Sequence, residues 1–356
     1  GDDVYTAGYE SNGTNAVAKV WKNKKAIFRT DGSNYAQAIS VYVVGEDVYV
    51  TGFETEGSNW VVKIWKNKEE LYTLTENGIP SSIVVHNGDV YVAGLELENK
   101  NFVAKVWKNG KELYAFNDGS TNSAEAISVF VADDKVYTVG YENNIAKLWK
   151  NKIAIDLANG SSEGEGTAAV SVFVAGNKVY TAGYVTGYES NSKSVAKVWK
   201  NGNELYTLTD GSNYAKAYSV FVVGEDVYTA GYEHNGTNTV AKVWKNNKEV
   251  VFRTFGSERA EARSVYVDRG DIYVSGYEIE GSNAMLKVWK NGEKLYALAD
   301  NCAGHSSIVV HDGDVYVAGV EQEGSNHAPK VWKNGKVLYE LADKGGTYSI
   351  FIVEKK

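Results

Sequence analysis

Apolar positions in this chain fall into short runs that recur along its whole length. One run is apolar at nearly every position and is opened by a serine, as in Ser40-Val41-Tyr42-Val43-Val44. Continuous apolarity over so few residues predicts a strand buried on both faces. A second run follows a tight turn, as in Asp47-Val48-Tyr49-Val50-Thr51-Gly52-Phe53. A third carries Lys63-Ile64-Trp65, and a fourth, Leu71-Tyr72-Thr73-Leu74, completes the unit. Named A, B, C and D in chain order, the four predict one antiparallel sheet per unit. Asn-Gly stands between C and D at Asn109-Gly110, Asn201-Gly202, Asn291-Gly292 and Asn334-Gly335. That dipeptide favours a type I′ hairpin, whose two central residues need positive φ.

The unit of about 45 residues occurs eight times. Lys-x-Trp-Lys-Asn puts its indole at Trp21, Trp65, Trp107, Trp149, Trp199, Trp244, Trp289 and Trp332. Val/Ile-Tyr-x-x-Gly and the serine-led run recur with the same count, the serines being Ser40, Ser82, Ser128, Ser171, Ser219, Ser264, Ser307 and Ser349. Repeats of this length with four strands each predict an all-β, eight-bladed propeller spanning residues 1–356 as a single domain, with strand A innermost. The last serine is followed by one apolar strand only, while the chain starts at a strand B, Asp3-Val4-Tyr5. The closing blade is therefore expected to take strand A from the C-terminus and B, C and D from the N-terminus, which removes open sheet edges.

If Gly8 lies opposite Trp21, then Glu10 lies opposite Lys19, and the same arithmetic holds in the shortest unit, where Gly140 meets Trp149. The indole would then cover bare glycine backbone. Blades one to three also resemble blades six to eight. Ser81-Ser82-Ile83-Val84-Val85-His86 returns as Ser306-Ser307-Ile308-Val309-Val310-His311, the mark of a duplicated block.

Asp47-Val48-Tyr49-Val50-Thr51-Gly52-Phe53 and Val103-Ala104-Lys105-Val106-Trp107 resemble the strands of the bacterial SBBP (or NHL-like) repeat propellers, and Ala36 to Val41 is similar to their innermost strand. The Lys-x-Trp-Lys-Asn core departs from that pattern. The resemblance implies a propeller of a secreted or surface-exposed bacterial protein and no particular activity.

Composition narrows the partners. With 45 acidic and 37 basic residues the net charge is −8, against a nucleic-acid partner. No run approaches the roughly 18 apolar residues of a membrane helix. The single cysteine, Cys302, excludes an internal disulfide framework and a cysteine-based zinc site. No signal peptide leads the sequence, and Gly1 reads as the start of a trimmed chain.

Loop length varies on one side only. Ser-to-Gly is constant, Ser40 to Gly52 as Ser264 to Gly276, whereas the B–C and D–A connections differ; the B–C connection is shortest in blade four and longest in blade five, which predicts a step between those blades on this face. Binding on a rigid scaffold resides in such loops, although neutral drift also lengthens them. Near that face, residues just before the serines break the repeat: Tyr218, Arg263 and Tyr348, with His305 one position earlier. An arginine among aromatic rings suits a carbohydrate or anionic ligand. These four are the candidate ligand-binding residues.

Other constellations read as structural. Glu10, Glu54, Glu96, Glu142, Glu233, Glu278 and Glu321 each have a predicted lysine partner, which favours ion pairs over a cation-binding ring. Eight serines without His and Asp partners are not nucleophiles, and a hydroxyl at the head of strand A can satisfy backbone groups of the next blade. His86 and His311 belong to distant blades, so no metal or cofactor is expected. Arg269-Gly270-Asp271 and the sequons at Asn12, Asn159 and Asn235 read as ordinary turns. The resulting expectation is a monomeric, non-enzymatic, extracytoplasmic binding or interaction module for a protein or glycan ligand on the B–C/D–A face. A glycan-active lyase or hydrolase and a structural spacer are the alternatives.

Overall fold

The computed structural model describes residues 2–117, 119, 123–159, 166–186, 193–250, 254 and 258–354. Their strands form eight four-stranded antiparallel sheets, each ordered A-B-C-D. The A strands are Gly345–Val353 in blade one, then Ala36–Val44, Gly78–His86, Ala124–Ala132, Ala168–Ala175, Ala215–Val223, Ala260–Asp268 and Cys302–His311 in blades two to eight. Each contacts the next around a closed ring, and that of blade eight contacts that of blade one. Blade one is closed as the sequence predicts: Asp3–Ser11 pairs with Gly345–Val353, Val4 opposite Ile352 and Tyr5 opposite Phe351. Among the described residues, no helix is long and apolar enough to cross a membrane.

The Lys-Asn end of the repeated motif ties two turns together. In blade two, Asn67 takes φ 58°, the first position of the C–D turn. Its Oδ1 accepts the N–H of Val48 at 2.9 Å and its Nδ2 donates to Asp47. Lys66 pairs with Asp47 at 2.8 Å and lies 5.2 Å from the Tyr49 ring centre. The asparagine-to-backbone bond recurs in all eight blades, at Asn23, Asn67, Asn109, Asn151, Asn201, Asn246, Asn291 and Asn334. Hairpin geometry and an otherwise orphaned donor are satisfied by one side chain, which is why the motif tolerates so little change.

The repeat tryptophans are wedges between blades. Trp65 of blade two packs on Phe28 of blade one at 5.1 Å, and Trp149 of blade four on Phe116 of blade three at 4.4 Å. Trp199 Nε1 donates to the carbonyl of Leu157 in blade four at 3.0 Å. All eight are at most 4% exposed. At roughly 150–250 Å² of ring surface each, burial contributes about 4–6 kcal/mol of transfer free energy per residue.

The expected cross-strand register is corrected by two residues. Trp21 lies opposite Thr6, and Gly8 lies opposite Lys19. The glycine serves the other neighbour: a Cβ on Gly8 would overlap the backbone carbonyl of Gly346 in strand A. A shift of two leaves every side chain on its original face, so the hydrophobic pattern cannot detect it. It also leaves Glu10 and Lys19 on one face as diagonal neighbours, and they do pair.

Candidate functional site

The close approach at the glycine is a β-bulge in strand A. Ala38 pairs with Gly52 and Ser40 with Thr51, so Ile39 is left out of the ladder. The same omission falls on Ser81, Ile127, Val170, Tyr218, Arg263 and Tyr348. Bulges free a residue and re-aim its side chain. Three of the serines beside a bulge reach the next blade: Ser82, Ser171 and Ser219 accept the N–H of Val129, Val220 and Val265 at 3.3–3.5 Å. The expected structural use of these hydroxyls is thereby present, and the residues that broke the repeat in sequence are the bulge residues on the B–C/D–A side.

Tyr218 and Arg263 meet across the seam of blades six and seven. The Arg263 guanidinium lies 4.4 Å from the Tyr218 ring centre and 2.7 Å from Glu261 Oε2. Glu261 is 1% exposed, and Arg259 and the Tyr277 hydroxyl both reach its Oε1 at 2.6 Å. Burial pushes this carboxyl up, but Arg263, Tyr277 and Arg259 together outweigh it and hold it below the usual range. Burial and the bond to Glu261 push the Tyr277 hydroxyl up to about 12. The positive charge of Arg263 is thus committed to a buried carboxylate.

Glu125 holds the corresponding place in blade four with no arginine beside it. Ser81 donates to it from blade three at 3.2 Å and Tyr141 from its own blade at 3.5 Å. Burial raises its pKa in spite of both donors.

Tyr348 belongs to a different cluster. It packs against Tyr9 at 6.1 Å, and its hydroxyl donates to Gln37 Oε1 at 2.9 Å, across the seam of blades one and two. Gln37 Nε2 in turn donates to the Tyr35 hydroxyl at 2.6 Å. Tyr35 stacks on Phe53, and Phe53 lies parallel to Trp60 at 4.8 Å and 8°. Strand A of blade one carries two glycines in succession, Gly345 and Gly346, and they line a pocket of about 220 Å³ together with Tyr9, His327, Thr347 and Tyr348. At the far end of the strip, a groove of about 300 Å³ runs between Trp60 and Phe102 over Ile79, Leu97 and Asn77. No Asp, Glu, Lys or Arg lines either cavity among the described residues.

Sequence reasoning missed Trp60, although a signal was present. The chain has nine tryptophans for eight repeats, and Trp60 is the one outside the motif. It is 40% exposed, and Tyr35, Phe102 and Tyr348 are exposed with it.

The remaining candidates resolve as structural contacts. All seven strand-B glutamates pair with their lysines, six of them at 2.6–3.5 Å. The acidic group Glu96, Glu98 and Glu112 surrounds the Lys105 ammonium, its own cation. His86 and His311 face Asp134 and Asp2 of the following blades at 4.0 and 3.8 Å. Arg269 and Gly270 form a two-residue turn with positive φ, and Asn12 and Asn235 cap their own turns. The His305 side chain, Gly160, Ser161 and the B–C residues 187–192 of blade five lie outside the described residues, so the expected step between the blade-four and blade-five loops does too.

These features define an eight-bladed propeller with aromatic-walled cavities on its variable side. No family model matches the chain, and no curated protein matches its sequence. Among solved structures it is similar to apo AztD from Citrobacter koseri (TM-score 0.53, 12% identity, 100% of this chain and 99% of that one). It is similar also to the dihydro-heme d1 dehydrogenase NirN (TM-score 0.53, 11% identity, 98% and 74%). A third is a puromycin-hydrolyzing peptidase of Mycobacterium tuberculosis (TM-score 0.51, 10% identity, 86% of this chain), of whose length this chain spans 54%. At these identities the likeness is one of fold. It nonetheless corrects the expectation of a non-enzymatic protein: a dehydrogenase and a peptidase carry this fold, so the fold gives no ground for excluding catalysis.

Proposed function

We propose that the B–C/D–A side of blades eight, one, two and three recognises carbohydrate. The observation that carries this reading is Trp60, 40% exposed yet held parallel to Phe53 at 4.8 Å. A ring fixed on one face and open on the other offers its electron-rich surface to the C–H face of a sugar at little entropic cost. Gln37 and Asn77 supply amide groups at the edges of the same surface, where hydroxyls need partners. Tyr348, a candidate from the sequence, takes part directly. Tyr218 and Arg263 shape the rim of blades six and seven through Glu261. A glycan ligand also fits an extracytoplasmic protein.

A glycan array with the intact protein and with Trp60→Ala tests the reading. Selective binding that weakens about tenfold in the variant is expected, the effect of losing one stacking ring. Mass spectrometry of the bound glycans reads whether they are also cleaved. Absence of binding to every glycan, or equal binding by the variant, would overturn the proposal.

A further inference from the structure

The aromatic cluster is extended rather than compact, and its parts are joined by shared residues. The pocket at the seam of blades eight and one contains Tyr348. Tyr348 bonds to Gln37, and Gln37 to Tyr35, at the seam of blades one and two. Tyr35 continues through Phe53 to Trp60. Trp60 is also one wall of the groove at the seam of blades two and three, where Phe102 is the other. Three successive seams therefore present binding surface along one arc of the rim.

Charge defines the ligand further. The two cavities are lined by aromatic, aliphatic, amide, hydroxyl and imidazole groups, and by none of the carboxylates, ammonium groups or guanidinium groups of the described residues. Arg263, in blade seven, lines neither cavity and is already paired with Glu261. An anionic polymer such as a uronate chain would lose its hydration here without gaining a counter-charge. A neutral chain loses nothing comparable.

Resting on the carbohydrate reading, we infer that the ligand is a neutral, linear oligosaccharide laid around the rim. Its end sits in the Tyr9–Tyr348 pocket, its middle crosses Tyr35 and Trp60, and its further units enter the Trp60–Phe102 groove. Each seam adds contacts only for a chain long enough to reach it, so affinity climbs with chain length.

The test is calorimetry with ladders of cello-, xylo-, manno- and malto-oligosaccharides, from the monosaccharide upward, and with oligogalacturonates as charged counterparts. For the intact protein, affinity for one neutral ladder should rise with each added unit until the arc is filled. Phe102→Ala should flatten the upper part of that curve by about tenfold and leave the shortest binding member unchanged. Tyr348→Ala should weaken every member. Both residues are exposed, and matching thermal melts establish that the variants fold. Length-independent affinity, an unaltered curve in Phe102→Ala, or preference for the galacturonates would overturn the inference while leaving carbohydrate recognition standing. Failure of all ladders and of the array would remove the underlying reading itself.

Discussion

Glu125 and Glu261 occupy the same place in blades four and seven, each paired across the sheet with a tyrosine, Tyr141 and Tyr277, yet their carboxyls shift in opposite directions. The difference lies in two flanking positions. Blade seven has Arg259 and Arg263 where blade four has Ser123 and Ile127. With the arginines, charge pairing overcomes burial; without them, burial wins.

Opposite shifts give opposite pH dependences. Glu261 has a depressed folded value, so its stabilisation is fully present above the ordinary carboxylate range and is lost as pH falls through the depressed value. Glu125 has a raised folded value, so its ionisation opposes folding, and the cost is fully present above that raised value. Thermal melts from acid to neutral pH should show Glu261→Gln falling progressively below the intact protein as pH rises, and Glu125→Gln gaining on it. Parallel profiles for the two variants would contradict the assignment.

Arg263→Ala should cost about 2 kcal/mol in urea unfolding. It removes one of two guanidinium partners from a carboxylate that is 1% exposed, and breaking a buried pair is expensive. Arg269→Ala, whose contact with Asp312 at 3.6 Å is at the surface, should change stability by less than about 0.5 kcal/mol. Equal costs would mean that the Glu261 cluster is not a structural centre of the rim.

The bulge makes a prediction of its own. A Cβ on Gly276, inside strand B, would overlap the carbonyl oxygen of Glu261, whereas Gly224, in a turn and with φ 60°, has open space around it. Gly276→Ala should therefore cost about 3 kcal/mol, and Gly224→Ala about 1 kcal/mol from backbone strain alone. Denaturant midpoints of the two variants decide the matter, and a mild Gly276→Ala would remove the steric reason for the repeated glycine.

Repeat count, strand order, ring closure and the Glu–Lys pairs were legible in the sequence because each depends on spacing within or between identical units. The register was not. A slip of two residues conserves the face of every side chain, and only the position of the strand-A backbone distinguishes Gly8 opposite Trp21 from Gly8 opposite Lys19. The bulge was hidden by the same constancy: an extra residue at the same place in seven blades leaves no irregular interval. Its consequence was visible all the same, since Tyr218, Arg263 and Tyr348 stood out as the positions where the repeat varies. Trp60 went unseen because it lies in strand C of a single blade, five positions before a motif tryptophan that drew the eye.

Closure of the ring depends on nine residues of the last strand. Gly345–Val353 supplies Ile350, 7% exposed, and the backbone partners of Asp3–Ser11. Deleting it removes several apolar side chains at roughly 1.5–3 kcal/mol each, against a typical net stability of about 5–15 kcal/mol. The shortened protein should aggregate or melt far below the intact one. An unchanged melting temperature with a monomeric elution profile would show that the two chain ends do not close the ring.

Trp60 offers the most direct test of the proposed function, because it is the one exposed tryptophan: the eight in the repeats are 0–4% exposed and Trp60 is 40%. Acrylamide should accordingly quench a small, red-shifted part of the intrinsic fluorescence, and Trp60→Phe should abolish that part. Saturation with the best-binding neutral oligosaccharide should shield it from acrylamide and shift its emission to shorter wavelength. Full quenching that persists at saturating ligand would contradict the assignment of the carbohydrate surface to the Trp60 strip.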